Sequence, residues 1–111
     1  MKTQTTYSSF EALEMRVGQI IKVEHSLSTK PTYRLTINFG NEIGTKVSCG
    51  AYTNYQKEDL VGKQIIGIVN FPPKKMGPEV SEVLVLGVKN VRGETIYLTP
   101  QAEVALGEEV F

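Results

Sequence analysis

An all-β barrel of five main strands, with two short helices, is the fold this sequence predicts, and three observations predict it. Tyr33, Leu35, Ile37 and Phe39 alternate with Arg34, Thr36 and Asn38, the period of a strand with one face on a core. Five β-rich runs, near 16–23, 33–39, 45–49, 64–71 and 82–88, are separated by segments that carry turn or breaker residues. A chain of 111 residues, 41% hydrophobic and 22% charged, has the balance of one globular domain over its whole length.

Taken in order, Met1–Tyr7 is polar and expected to fray, and residues 1–8 are expected to be disordered. Ser8-Ser9-Phe10-Glu11 fits a capping box, in which Ser8 and Glu11 each satisfy an orphan amide of a helix running to about Met15. From Arg16 to Val23 the chain is β-rich, and Gly18 suggests a bulge in a long curved strand. His25–Pro31 is a polar loop before the alternating second strand, and Gly40-Asn41 with Gly44 supplies turn chemistry before a third strand at Thr45–Cys49. Gln56–Val61 can make one or two helical turns, ended by Gly62 at C′. Gln64–Phe71 is nearly continuously apolar, a strand buried on both faces, and Pro72-Pro73 stops it because neither proline can donate to a ladder. Lys74–Val80 reads as an irregular loop, Glu82–Val88 as the fifth strand, and Glu94–Leu98 as a C-terminal strand extension after a turn at Asn90–Gly93. The tail from Pro100 carries Val104, Leu106 and Val110, enough apolar surface to dock. Five strands with a short helix between the third and fourth is the order of an OB-fold barrel.

Composition narrows the function. Twelve Lys and Arg balance twelve Asp and Glu at a pI near 6.6, so any nucleic-acid contact must come from a local patch. Cys49 and His25 are the only residues of their kinds, too few for a disulfide or a Cys/His zinc site, so no metal or other cofactor is expected. Cys49 reads as a small strand hydrophobe without a base, and His25 as a solvated loop residue. The carboxylates, Glu79 and Glu82 among them, read as solvated surface, and no phosphate-cradling Gly-rich loop is present. With no catalytic constellation, the chain is expected not to be an enzyme. The apolar runs are far shorter than the roughly 20 residues that span a bilayer, and the N-terminus lacks an apolar signal region, so no membrane insertion is expected and a cytoplasmic location is.

The informative segment is Asn70-Phe71-Pro72-Pro73-Lys74-Lys75-Met76. Two prolines fix the exit of a strand at low entropic cost, two ammonium groups follow where phosphates could pass, and Met76 offers a soft apolar surface to a base or sugar. Composition alone favours the other description, a solvated loop with ordinary lysines.

A longer pattern tips that balance. Phe10, Arg16-Val17-Gly18 with Ile20, Asn38-Phe39-Gly40 with Glu42-Ile43-Gly44, Lys46 and Ser48, Leu60-Val61-Gly62-Lys63, and the Asn70–Met76 segment followed by Ser81-Glu82-Val83-Leu84-Val85-Leu86-Gly87 together resemble the tRNA-binding-domain family of OB-folds. Within it the pattern is most similar to the stand-alone, secretion-chaperone-like CsaA proteins, and it resembles the C-terminal domain of some methionyl-tRNA synthetases. The resemblance implies structure-directed tRNA binding without catalysis, a homodimer built partly from terminal segments, and a chaperone-like role toward unfolded or export-destined polypeptides. Carried over by position, the RNA-facing residues are Lys46, Ser48, Asn70, Lys74, Lys75, Met76, Ser81 and Glu82. Phe10, Arg16, Val17 and Gly18 fit packing and strand curvature better.

The departures from the family pattern bear on affinity. Where relatives carry a Ser-Ser-Ala-Gln-Ile-Thr type of run, this chain has Ser48-Cys49-Gly50-Ala51-Tyr52-Thr53, and Tyr52 could stack on a base in place of the missing glutamine. Lys74 and Lys75 stand where relatives often have arginine, which alone makes a bidentate phosphate fork. Glu79 is expected to repel phosphate, and Val80 lacks a further cation. Three functions stay open: a dimeric tRNA-binding module, alone or beside an aminoacyl-tRNA synthetase; a chaperone-like binder of unfolded chains; and an adaptor for another protein.

Overall fold

β1 (Met15–His25) organises the computed structural model, which describes residues 1–111. Its first half, Met15–Gln19, pairs antiparallel with β4 (Gln64–Ile68), and its second half, Gln19–His25, with β2 (Tyr33–Asn38). One strand serves two neighbours because it coils, and the register shifts between Ile20 and Lys22. The irregularity therefore lies near Ile21 and not at Gly18, which pairs regularly with Ile65. Gly18 has a different reason to lack a side chain: a Cβ there would sit 2.6 Å from Ile37 Cγ2 and 2.8 Å from the Phe39 ring. The glycine lets the most buried aromatic side chain of the core lie flat on the strand.

β2 pairs in turn with β3 (Thr45–Gly50) across a turn in which Gly40 and Gly44 adopt positive φ and Gly44 N–H donates to Gly40 O at 2.7 Å. α2 (Lys57–Leu60) follows, closed by Gly62 at φ +89°, and buries Leu60 against β1. β4 then leads through β5 (Lys74–Met76) and β6 (Glu79–Ser81), which pair only with each other, to β7 (Leu84–Val85). The main sheet has the order β3-β2-β1-β4-β7. β7 comes round toward β3, and hydrogen bonds from the Ser81-Glu82 connector to β3 stitch most of the remaining gap, giving a nearly closed five-stranded OB-type barrel. Its core holds Ile20, Leu35, Ile37, Phe39, Leu60 and Ile65, supplied by the inward faces of alternating strands and by α2.

Several elements differ from expectation. α1 (Tyr7–Glu11) begins within the segment expected to fray and ends early, because Met15 already belongs to β1. Its N-cap is Thr6 without a side-chain cap bond, and the Ser8 hydroxyl pairs with the Thr6 hydroxyl instead of forming a capping box. His25 ends β1, with its ring against Tyr33, and is not part of a loop. β4 stops at Ile68, and Phe71 is exposed. The expected fifth strand is split: β7 stays on β4, and β8 (Gly87–Lys89) leaves to pair with β9 (Thr95–Tyr97). Gly87 permits the change of partner, since a Cβ there would meet Ile96 O and Tyr52 Oη at 2.9 Å. The tail docks on its own barrel: Gly107 N–H donates to Val17 O, Val17 N–H to Glu108 O, and Val110 N–H to Met15 O.

Candidate nucleic-acid interface

Lys74–Val80, expected to be irregular, is a hairpin. Met76 pairs with Glu79 across Gly77-Pro78, and Gly77 has φ +63°. A two-residue connection with a positive-φ glycine first and a proline, whose φ is fixed negative, second has the φ signs of a type II′ turn. Cross-strand partners share a face, so Lys74 and Met76 lie on the side of Ser81 and Glu79, while Lys75 stands beside exposed Val80.

The hairpin is fastened on that inner side. The Glu79 side chain is buried, 5% exposed, and both carboxylate oxygens accept from Arg34 Nη1 at 3.1 and 3.2 Å. Glu79 also accepts the Leu27 N–H at 2.8 Å, from the loop between β1 and β2. Arg34 reaches Glu24 on β1 at 3.3 Å, and its guanidinium, as hydrogen-bond donor, holds the Glu24 carboxyl below the usual carboxylate range. Glu79 is therefore neither solvated nor a free negative charge facing a ligand, which corrects the expectation of repulsion. Glu82 is likewise engaged: its carboxylate accepts the Val47 N–H at 3.0 Å.

The eight candidate residues separate by role. Lys74, Lys75 and Met76 lie on the hairpin, and Lys46 projects from neighbouring β3, half-buried; none of the three lysines forms an ion pair, whereas Arg16, Lys22, Arg34 and Arg92 all do. Ser81 accepts the Cys49 N–H at 3.1 Å and donates to Val83 O at 3.1 Å, with the buried Ser48 hydroxyl 3.5 Å away. Asn70 spends its amide on the segment before β1, accepting from Glu14 N–H and donating to Ala12 O, both at 2.9 Å. Ser81, Glu82 and Asn70 thus hold the frame on which the hairpin cations are displayed.

Between hairpin, β3 and β7 runs a groove of about 460 Å³ lined by Phe71, Lys74, Met76 and Leu84, with Cys49 at its floor. It meets a second depression of about 390 Å³ that continues past Cys49 and Leu84 to Val88 and Lys89. An apolar trough with Lys74 at one end and Lys89 at the other can take a base or a hydrophobic side chain beside a phosphate. Tyr52 plays no part as a stacking platform: it is 4% exposed, and burial pushes its phenol up to about 12. No group of three His, Cys, Asp or Glu side chains is placed to hold a metal.

Burial, reinforced by the charge of Glu79, pushes the Cys49 thiol above its ordinary range. Cys49 will therefore alkylate more slowly at pH 7.5 than a free cysteine, because less of it is thiolate. On the expectation of RNA binding that the resemblance carries, Cys49→Ser keeps affinity within about twofold, a difference of roughly 0.4 kcal/mol. Timed iodoacetamide labelling and a tRNA titration check both; a folded Cys49→Ser protein that no longer binds would show a contact through sulfur.

A nearly closed OB-type barrel that displays unpaired lysines beside an apolar groove defines a small binding module of the kind used for single-stranded or structured nucleic acid. Residues 15–109 match the "Putative tRNA binding domain" family, and the chain belongs to that family. Two solved structures cover it nearly end to end. The CsaA chaperone protein of Picrophilus torridus is 40% identical with a TM-score of 0.92, over 97% of this chain and all of that one (100%). The chaperone CsaA of Bacillus anthracis str. Ames is 37% identical with a TM-score of 0.91, over 98% of this chain and 100% of that one. The methionine–tRNA ligase of Parabacteroides distasonis is 35% identical over 104 residues, 94% of this chain. The chain spans only 15% of that ligase's length.

Proposed function

We propose that this protein is a non-catalytic, structure-directed tRNA-binding module, working alone or beside an aminoacyl-tRNA synthetase in the cytoplasm. The observation that carries the reading is the β5–β6 hairpin in a chain of the tRNA-binding-domain family: Lys74 and Lys75 are exposed on it and free of ion pairs, and Lys74 stands over the groove. Lys46, Lys74 and Lys75 supply phosphate contacts, Met76 supplies apolar contact to a base or sugar, and Ser48, Asn70, Ser81 and Glu82 fix the geometry of that face. No helix is long and apolar enough to cross a membrane.

A second reading, a chaperone-like binder of unfolded polypeptides, draws on the apolar lining of the same groove and on the likeness to the CsaA chaperone structures. Capture of RNA and polypeptide together from a lysate, with sequencing and mass spectrometry, separates the two. The tRNA reading predicts tRNA-sized RNA, retained at low salt and released at high salt because phosphate contacts give way to counterions. Polypeptides retained at high salt without RNA would favour the chaperone, since apolar contacts hold or strengthen there.

The working unit is a homodimer. Tyr7 near one terminus and Phe111 at the other are 69% and 102% exposed, and apolar surface left open at terminal segments supports pairing of two copies. Light scattering at micromolar concentration will give twice the 12.3 kDa chain mass. A clean monomer mass across that range would remove this part of the proposal.

A further inference from the structure

Sharing Lys74 and Met76 with the apolar groove, a further cleft of about 430 Å³ lies between the hairpin tip and the loop joining β1 to β2. Its lining is of another kind: Lys30, Ser28 and Thr29 come from the loop, Lys74, Lys75 and Met76 from the hairpin, and no carboxylate lines it. Three lysines from two segments far apart in sequence line one cleft with two hydroxyl-bearing residues, in a chain of zero net charge. Lys30 forms no ion pair.

We propose that this cleft is a phosphate-binding site in which Lys30 joins Lys74 and Lys75 to hold successive phosphates of a polyanion, one at each lysine, with Glu79 as the positioning residue that keeps the two walls together. The ligand in the cell is the phosphodiester backbone of RNA; in that respect the inference rests on the tRNA reading, although the chemistry of the cleft does not. A phosphate is recognised by point charges and by N–H or O–H donors, and both are supplied here, whereas an apolar peptide finds only Met76 and Pro78.

The walls are held from beneath. Glu79, on the hairpin, accepts the Leu27 N–H of the loop at 2.8 Å and grips Arg34 on β2 at 3.1 Å. The loop is tied internally as well, with Ser28 N–H on Ser26 Oγ at 2.8 Å and Lys30 N–H on Ser28 Oγ at 3.2 Å. The buried Glu79 carboxylate thus ties the hairpin to the loop that carries Lys30, and its own charge is taken up by Arg34. Without that tether the two cationic segments would repel each other and separate, and a ligand would have to supply the cost of reassembling them.

The test follows backbone amides by NMR while sodium tripolyphosphate, and separately unfractionated tRNA, is added to the wild-type protein, Lys30→Ala and the control Lys63→Ala at the α2–β4 turn. Saturable tripolyphosphate shifts at Ser28–Lys30 and Lys74–Gly77, weakened in Lys30→Ala but not in Lys63→Ala, are expected. Lys30→Ala is also expected to lower the salt slope of tRNA binding by about 0.7–0.9, the value of one lost phosphate contact, with an affinity loss of up to about fivefold at low salt. Wild-type protein that binds tRNA with the same slope in Lys30→Ala would overturn the cleft and leave the tRNA reading intact. Protein that shifts these amides with tripolyphosphate but fails to bind tRNA would overturn the tRNA reading and leave the cleft standing as an anion site. Absence of tripolyphosphate shifts in the cleft would overturn the proposal outright.

Discussion

Glu79→Gln will weaken RNA binding and lower stability, although it removes a negative charge from beside two lysines. On charge alone the substitution should help, since a carboxylate near a phosphate path costs affinity. The geometry reverses the sign, because this carboxylate is 5% exposed and already bound by Arg34 and by the Leu27 amide. A glutamine keeps the shape but offers one neutral acceptor where two charged oxygens stood. The loss is on the order of 2 kcal/mol, the usual worth of a hydrogen bond to a charged acceptor out of water. Arg34 then lies partly buried with Glu24 as its one charged partner. Binding falls because the apparent affinity scales with the fraction of molecules whose hairpin is docked. Urea melts will show a lower midpoint at an unchanged slope, and a tRNA titration at low salt will show a raised Kd. Unaltered stability together with tighter binding would return Glu79 to the role of a repulsive surface charge.

Lys74→Ala combined with Lys75→Ala will produce the largest loss of affinity with the smallest loss of stability. Both side chains are exposed on a three-residue strand that pairs only with β6, and neither takes part in an ion pair or the core. Their removal therefore leaves the barrel as it is. Two lost phosphate contacts lower the salt slope by about 1.4 if the contacted RNA behaves as single strand, or about 1.8 on a duplex-like backbone. At low salt each exposed contact is worth up to about fivefold, so the pair approaches about twenty-five-fold if the two act independently. Titrations at several salt concentrations, with circular dichroism to verify the fold, measure both quantities. A slope unchanged in a folded double variant would move the RNA off this hairpin.

The parts of this protein that the sequence made legible are those written in local periodicity. Tyr33–Phe39 alternates, and Tyr33–Asn38 of it is a strand with one face in the core; Gly62 ends a helix; Gly40 and Gly44 make a turn. The hairpin was missed because three-residue strands are too short to show a period, and the prolines before it suggested irregular chain. Gly77-Pro78 was the available signal, since glycine followed by proline suits the two central positions of a II′ turn. Glu82–Val88 looked like one strand because its residues are β-formers throughout, and only the crowding around Gly87 shows why it changes partner.

The site was legible in its residue types and not in their roles. Nothing near Glu79 in the sequence announces Arg34, which stands 45 residues earlier and meets it only once β2 and the hairpin are brought together. Asn70, Ser81 and Glu82 stand among the candidates by resemblance, and their hydrogen bonds to Glu14, Cys49 and Val47 give each a framework role that no local pattern could reveal. Lys30 was overlooked for the same reason: it lies in a polar loop of ordinary composition, and only the fold sets it across a cleft from Lys74 and Lys75.

The central claim is that lysines on this face hold a phosphate backbone, and the salt dependence of wild-type tRNA binding tests it most directly. With Lys30, Lys46, Lys74 and Lys75 each taking one phosphate, the logarithm of the association constant should fall against the logarithm of salt concentration with a slope of about −3 to −4. Binding that stays level or tightens as salt rises would contradict the account and place the ligand in the apolar groove.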